Sequence, residues 1–212
     1  IFRAYSNHRY DTGDYKKIDP MLGTEEDFAF LVNECKARNI RIMLDGVFNH
    51  TGDDSLYFNK YGRYDELGAY QSKDSKYYAW YNFTEYPNKY DSWWGIDNLP
   101  AVNESCPSYI DFITGDEGVL KYWLKYDLAG YRLDVADELP DEFIEKIRAA
   151  VKSARPEALV LGEVWEDASN KIAYSKRRHY FQGAELDSVM NYPLKDAIIH
   201  FITHNDTLML RQ

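Results

Sequence analysis

Cysteine is nearly missing from this sequence. Two occur in 212 residues, Cys35 in a helical stretch and Cys106 before a proline, so no disulfide framework can be read and a reducing, cytoplasmic setting is the expectation. Positive charge is in deficit too: 25 Lys and Arg stand against 35 Asp and Glu, a formal net charge of −10. Phosphate backbones and anionic membranes carry the same sign, which argues against nucleic acid or a membrane surface as partner and leaves a neutral or cationic ligand. No apolar run approaches membrane-spanning length, and Ile1-Phe2-Arg3-Ala4-Tyr5-Ser6 lacks the charged start and apolar stretch of a signal peptide. The chain opens on Ile1 instead of methionine, and its ends fall in loop-like or helical sequence, which reads as a piece of a longer protein. No Gly-x-Gly-x-x-Gly follows a strand and no P-loop occurs, so a nucleotide-binding sheet has no support from motif.

What the sequence does have is aromatic residues, 16% of the chain with 19 Tyr, and a regular alternation of helix and strand. Thr24-Glu25-Glu26-Asp27 has the form of a capping box, and Phe28, Leu31, Val32 and Cys35 recur at helical spacing up to Arg38. Arg41 to Phe48 is short, apolar and rich in branched residues, as a strand buried on both faces requires. A helix over about Asp116 to Tyr126 and a strand over Gly130 to Val135 follow. Pro140-Asp141-Glu142 then opens a helix with Phe143, Ile144, Ile147 and Val151 facing inward, and Pro156 closes it before a strand over Leu159 to Val164. A helix near Ala168 to Arg177, a strand at Ser188 to Asn191 and a helix after Pro193 complete the series. This is an α/β pattern of βαβ units around a parallel sheet, and a (β/α)₈ barrel is the architecture left once the nucleotide-binding sheets are set aside.

The rhythm breaks between about 51 and 108, where short aromatic segments alternate with Gly, Asn, Asp and Pro. The chain therefore divides into a barrel start (1–50), an insert (51–108) and a barrel continuation (109–212). An insert after the C-terminal end of a strand overhangs the face where barrel enzymes place their sites. Its rings can stack on sugars, but the plainer expectation for any one of them is packing in the insert's own small core. Trp93 and Trp94, beside Gly95, are the candidates for exposure.

Polar residues at the ends of buried strands carry the chemistry. In Gly130-Tyr131-Arg132-Leu133-Asp134 a period of two puts Arg132 and Asp134 on one face, where the guanidinium is expected to keep Asp134 ionised, as a nucleophile requires; the bland alternative is a structural ion pair. Glu163 ends the next strand among apolar neighbours, with Trp165 two residues on, an environment expected to raise its pKa toward that of a general acid. Adjacent parallel strands lie about 4.8 Å apart, which suits the roughly 5–5.5 Å carboxyl spacing of a retaining glycosidase.

Asp45-Gly46-Val47-Phe48-Asn49-His50, Gly130 to Asp134 and Gly162-Glu163-Val164-Trp165, in this order, resemble three of the four signature segments of the α-amylase family, glycoside hydrolase family 13. Ser6 to Thr12, Ile18-Asp19-Pro20, Leu99 to Asn103 and Met190 to Leu194 are similar to the neopullulanase, cyclomaltodextrinase and maltogenic-amylase branch, so the resemblance covers essentially the whole chain. It implies a partial TIM barrel of about strands 3 to 6 and a retaining enzyme acting on α-glucans, maltooligosaccharides or cyclodextrins. Asp134 would be the nucleophile and Glu163 the acid and base. Arg132 would hold Asp134 and contact Asp45, Tyr10 would stack on the sugar being cleaved, His50 would hydrogen-bond to it, and Glu138 and Trp165 would contact substrate. The resemblance requires no cofactor; the position matching Asn49 supports calcium in many relatives, and this branch often lacks that ion. A homodimeric parent is the expectation, since the branch often dimerises through an extra N-terminal domain. The fourth signature is absent, because His204-Asn205-Asp206 has the wrong order and ends a helix. The chain alone is therefore expected to be inactive, with open sheet edges. A transglycosylase or a sucrose- or trehalose-type isomerase would use the same residues, and a non-catalytic transporter-subunit relative would need neither carboxylate.

Overall fold

The computed structural model describes residues 1–211. It begins with an antiparallel pair where the sequence showed no element, β1 (Phe2–Ala4) and β2 (Thr12–Ile18). Helix α1 (Glu25–Lys36) starts at the capping box, with Asp27 N–H donating to Thr24 Oγ1 and Thr24 N–H donating to Asp27 Oδ2. Strand β3 (Met43–Gly46) leads into the aromatic segment, whose regular pairing is the short hairpin β4 (Phe83–Glu85) and β5 (Lys89–Tyr90). A helix not expected from the sequence, α2 (Pro107–Thr114), precedes the one expected near 116–126, which is the shorter α3 (Val119–Leu124). Gly115 and Gly118 turn the chain between them, with Gly118 N–H donating to the Gly115 carbonyl.

The second half runs β6 (Gly130–Leu133), α4 (Asp141–Ala154), β7 (Leu159–Gly162), a hairpin of β8 (Ile172–Ala173) and β9 (Lys176–Arg177), β10 (Ser188–Val189) and α5 (Tyr192–His204). The hairpin replaces the helix expected over Ala168 to Arg177. Ile172 and Tyr174 are exposed, so a helix there would have had no apolar stripe to bury. What fixes the segment is polar: Lys171 pairs with Asp137 and Glu166, and the next residue after the hairpin, Arg178, is locked to Asp141.

Strands β3, β6, β7 and β10 form one parallel sheet in the order β10-β7-β6-β3, with no further strand on either outer edge among the described residues. Asp45 pairs in register with Arg132, and Arg132 with Leu161, so alternate residues of three strands share one face. The opposite face, Leu44, Tyr131, Leu133 and Val160, is buried, as are Phe143, Ile144, Ile147 and Val151 on the predicted face of α4. Each such side chain contributes about 1.5–3 kcal/mol by leaving water. Gly130 is required at the head of β6, since its φ is +134° and a Cβ there would lie 1.9 Å from the Leu159 carbonyl oxygen.

The aromatic segment has no core of its own. Tyr57, Phe58, Tyr77, Trp80 and Tyr81 belong to the same buried cluster as the strands and α4, joined through contacts such as Trp80 with Tyr109 at 5.1 Å and Tyr15 with Tyr57 at 5.6 Å. The rings also do polar work. Tyr15 OH donates to the Val47 carbonyl (2.6 Å) and Tyr109 OH to the Phe48 carbonyl (2.8 Å), which satisfies backbone that has just left the β3 ladder. That pins the stretch Val47 to His50 beneath the cleft.

Candidate active site

The site is built where β3, β6 and β7 end. Leaving the ladder, Asp134 N–H donates to the Gly46 carbonyl and Glu163 N–H to the Leu133 carbonyl, so both acids are carried by backbone still tied to the sheet. Arg132 then joins three strands. Its Nη1 donates to Asp45 Oδ1 (2.7 Å) and to Asp134 Oδ1 (2.6 Å), and its Nη2 stands 2.7 Å from Glu163 Oε1. Asp134 and Glu163 are each 7% exposed. Both line one cavity of about 380 Å³, together with His8, Tyr10, His50, Trp93, Arg132 and Trp165.

Glu163 accepts two more hydrogen bonds, from Val135 N–H (3.0 Å) and from Tyr192 OH (3.1 Å). The Val135 bond depends on an unusual backbone, for φ is +40° at a β-branched residue. Such a conformation costs about 1–3 kcal/mol and persists only where its surroundings enforce it. Neither Val135 nor Tyr192 was singled out from sequence; Tyr192 lay within a segment quoted for the resemblance, whereas nothing in the letters around Val135 announces its φ.

The electrostatics invert the expectation from sequence. Burial pushes the Asp134 carboxyl up to about 7; Arg132 opposes the rise, and the neighbouring Asp45 and Glu163 charges add to it. Burial raises Glu163 as well, but donation from Val135 N–H, Trp165, Arg132 and Tyr192 outweighs it and holds this carboxyl below its ordinary value. The apolar pocket expected around Glu163 is in fact a nest of donors, because Arg132 reaches past Asp134 to a second acid.

His50 lies at the cleft wall, 1% exposed, its Nε2 3.1 Å from the Tyr10 carbonyl and its Nδ1 buried without a partner. Burial lowers its pKa to about 4, so the ring is neutral near pH 7 and has one ring nitrogen free for a ligand. Tyr10 OH donates to Asp45 Oδ2 (3.2 Å), which ties the first loop to β3. Asp45 stands behind Tyr10 and Arg132, outside the cavity lining. Glu138 is likewise outside it and lines a neighbouring cavity with Tyr174 and Arg178; its two oxygens accept the indole N–H groups of Trp93 and Trp94. Trp94 is 67% exposed and Trp93 half-buried.

Asn49, the position matching a calcium ligand in many relatives, has both amide atoms buried and unpartnered. One of those atoms is a donor, and among the described residues no group of three or more His, Cys, Asp or Glu gathers that could hold a metal ion. No step is derived through calcium. No helix among the described residues is long and apolar enough to cross a membrane.

A parallel α/β sheet whose strand ends bring two acids and an arginine into one cleft is the architecture of a strand-end α/β enzyme. The chain belongs to the α-amylase family: the family model described as "Alpha amylase, catalytic domain" matches residues 1–210. It is 42% identical over 221 residues to an amylopullulanase of Thermoanaerobacterium saccharolyticum, across 95% of this chain and 16% of that protein. It is 36% identical over 213 residues to a cyclomaltodextrinase of Geobacillus thermopakistaniensis, across 97% of this chain and 33% of that protein. Among solved structures it superposes on the cyclic α-maltosyl-(1→6)-maltose hydrolase of Arthrobacter globiformis in complex with maltose with a TM-score of 0.81 at 33% identity, covering 95% of this chain and 43% of that one. The chain thus spans a third or less of these two curated relatives' length.

Proposed function

We propose that this chain carries the nucleophile and the acid–base of a retaining α-glycosidase that acts on linear or cyclic α-glucans. The observation that carries the reading is one guanidinium, Arg132, bonded to two carboxylates that end adjacent parallel strands and line the same cavity. Names of the relatives, cyclomaltodextrinase and amylopullulanase among them, support an α-glucan as the substrate.

In this mechanism Asp134 attacks the anomeric carbon while Glu163 gives its proton to the leaving oxygen, so the glycosidic bond breaks as a glycosyl ester forms. Glu163 then takes a proton from water, which attacks the same carbon and frees Asp134. The reactive form has one proton on the pair, located on Glu163, whereas the free site favours it on Asp134. A sugar in the cavity acts on both acids: positive charge developing at the anomeric carbon favours the Asp134 anion, and exclusion of water favours neutral Glu163. His50 stays neutral and offers Nδ1 to a hydroxyl.

The test is a trapping experiment on the full-length protein with 5-fluoro-α-D-glucosyl fluoride, followed by peptide mass mapping. The label is expected on Asp134. A label on Asp45 or Glu163, or Asp134→Asn turnover within tenfold of the parent, overturns the assignment.

A further inference from the structure

We propose that Arg63, held by Asp54, is a positioning residue: it clamps the loop of residues 5–11 to the aromatic segment and so sets where Tyr10 and His50 meet the sugar. The inference rests on the glycosidase reading above and adds to it a part of the molecule outside the cleft.

The loop joins β1 to β2 and carries His8 and Tyr10 into the cavity, yet it has no regular structure. Its internal hydrogen bonds are local. Ser6 N–H donates to Asp11 Oδ2 (2.9 Å), Arg9 N–H to Ser6 Oγ (3.2 Å) and Tyr10 N–H to His8 Nδ1 (3.1 Å). Arg9 sits at φ +65°, a conformation that persists only with outside support. On one side that support is the ion pair of Arg9 with Asp19. On the other it comes from the aromatic segment: the Arg63 guanidinium lies over the Tyr5 ring, 4.2 Å from its centroid, and the hydroxyls of Tyr5 and Tyr64 stand 3.4 Å apart.

Asp54 turns this contact into a clamp. Its Oδ2 accepts from Arg63 Nη1 (2.8 Å), while its Oδ1 is buried without a partner. Asp54 also abuts the far end of the loop. A Cβ at Gly52 would meet Asp54 Oδ1 at 2.7 Å and the Asp11 carbonyl oxygen at 2.9 Å, so glycine is what lets the two approach. A buried carboxylate with one oxygen unsatisfied costs stability, and a single ion pair to a half-exposed arginine offsets little of that. Stability therefore does not account for Asp54; holding Arg63 over Tyr5 does.

The consequence reaches His50. Its Nε2 stands 3.1 Å from the Tyr10 carbonyl, which can only accept, so Nε2 carries the proton of the neutral ring and Nδ1 keeps the lone pair. A loop that shifts moves Tyr10 and releases the His50 ring proton together.

The test combines hydrogen exchange with kinetics in the full-length protein. Arg63→Leu is expected to speed amide exchange over residues 6–11 about tenfold, while β6 and β7 keep the parent's rates. On α-maltosyl fluoride, Arg63→Leu and Tyr5→Leu are each expected to lose about tenfold in kcat/KM. Arg63→Lys keeps the charge beside Asp54 but not the flat face over Tyr5, and is expected between the parent and Arg63→Leu. The double variant Tyr5→Leu/Arg63→Leu is expected within about twofold of the less active single variant, because the two residues act as one contact. Neither side chain is buried, so both substitutions spare the core. Unchanged exchange over 6–11, exchange that rises equally in β6 and β7, kcat/KM within twofold of the parent, or additive losses in the double variant overturn the proposal alone. A parent that does not turn over the fluoride overturns the glycosidase reading, and the exchange result then decides the clamp by itself.

Discussion

Two arginines are sunk into this molecule, and their surroundings differ in kind. The side chain of Arg178 is 4% exposed; it bonds to one carboxylate, Asp141, and to the carbonyls of Asp137 and Leu139, and it lies over the Tyr180 ring. The side chain of Arg132 is 16% exposed and meets three carboxylates, Asp45, Asp134 and Glu163. Burying a charge is costly unless it is paired and hydrogen-bonded, and Arg178 meets that condition with one acid and neutral backbone. Around Arg132 the acids outnumber the cation, so ionising all three leaves two negative charges in excess. A cluster made for stability alone would not be arranged so. Burial raises Asp134 toward 7, the surplus adds to the rise, and together they leave a cavity ready for positive charge, which the proposed glycosyl transition state would supply.

Substitution at each arginine tests that contrast, and the largest effect is expected at the rim. Arg132→Leu is expected to lower kcat by about 10²–10³-fold in the full-length protein, since it removes the group that orients both acids. Arg178→Leu is expected to cost about 2–4 kcal/mol in urea unfolding, because it strands one carboxylate and two carbonyls in the interior, with kcat per folded molecule changed less than threefold. If Arg178→Leu lowers kcat as far as Arg132→Leu does, the two sites are not of different kinds.

A smaller effect follows from the burial of Asp134 beside these acids. A carboxyl whose pKa is raised by folding binds its proton more tightly in the folded state. Its ionisation therefore opposes folding as pH climbs past the ordinary value of 3.8, and the penalty is complete above about 7. Asparagine has no proton to lose. Asp134→Asn is expected to be more stable than the parent at pH 8 by on the order of 2 kcal/mol, the gap closing as pH falls toward 4. Equal stabilities at pH 8 in urea titrations would show that Asp134 is not under this stress.

The contrast between the arginines was only half legible in the letters. Arg132 and Asp134 two apart on a strand predicted their contact, and the apolar periods placed β3, β6, β7 and α4 correctly. Arg178 went unremarked, one residue past the helix expected over Ala168 to Arg177: that stretch has no helix breaker, and its hairpin is set by ion pairs to distant residues, which a local period does not report. The reach of Arg132 to Glu163 was missed for a related reason: it depends on the register between β6 and β7, not on the content of either. The aromatic segment read correctly as mostly packed rings, but their continuity with the sheet's core is a tertiary fact.

The finest test concerns which acid holds the shared proton. With Asp134 near 7 and Glu163 below its ordinary value, the singly protonated pair prevails between those limits, and it includes the reactive form. On α-maltosyl fluoride kcat/KM is therefore expected to be level between about pH 5 and 7 and to fall about tenfold per pH unit above that. The rise on the acid side should be complete below pH 5. Arg132→Lys sharpens the argument, because an ammonium cannot hold the fork between Asp134 and Glu163. If the fork keeps Glu163 low, the acid limb moves up in pH in that variant. A limb that stays in place assigns the depression of Glu163 to Val135 N–H and Tyr192 instead, and Arg132 would then differ from Arg178 only in the number of acids around it.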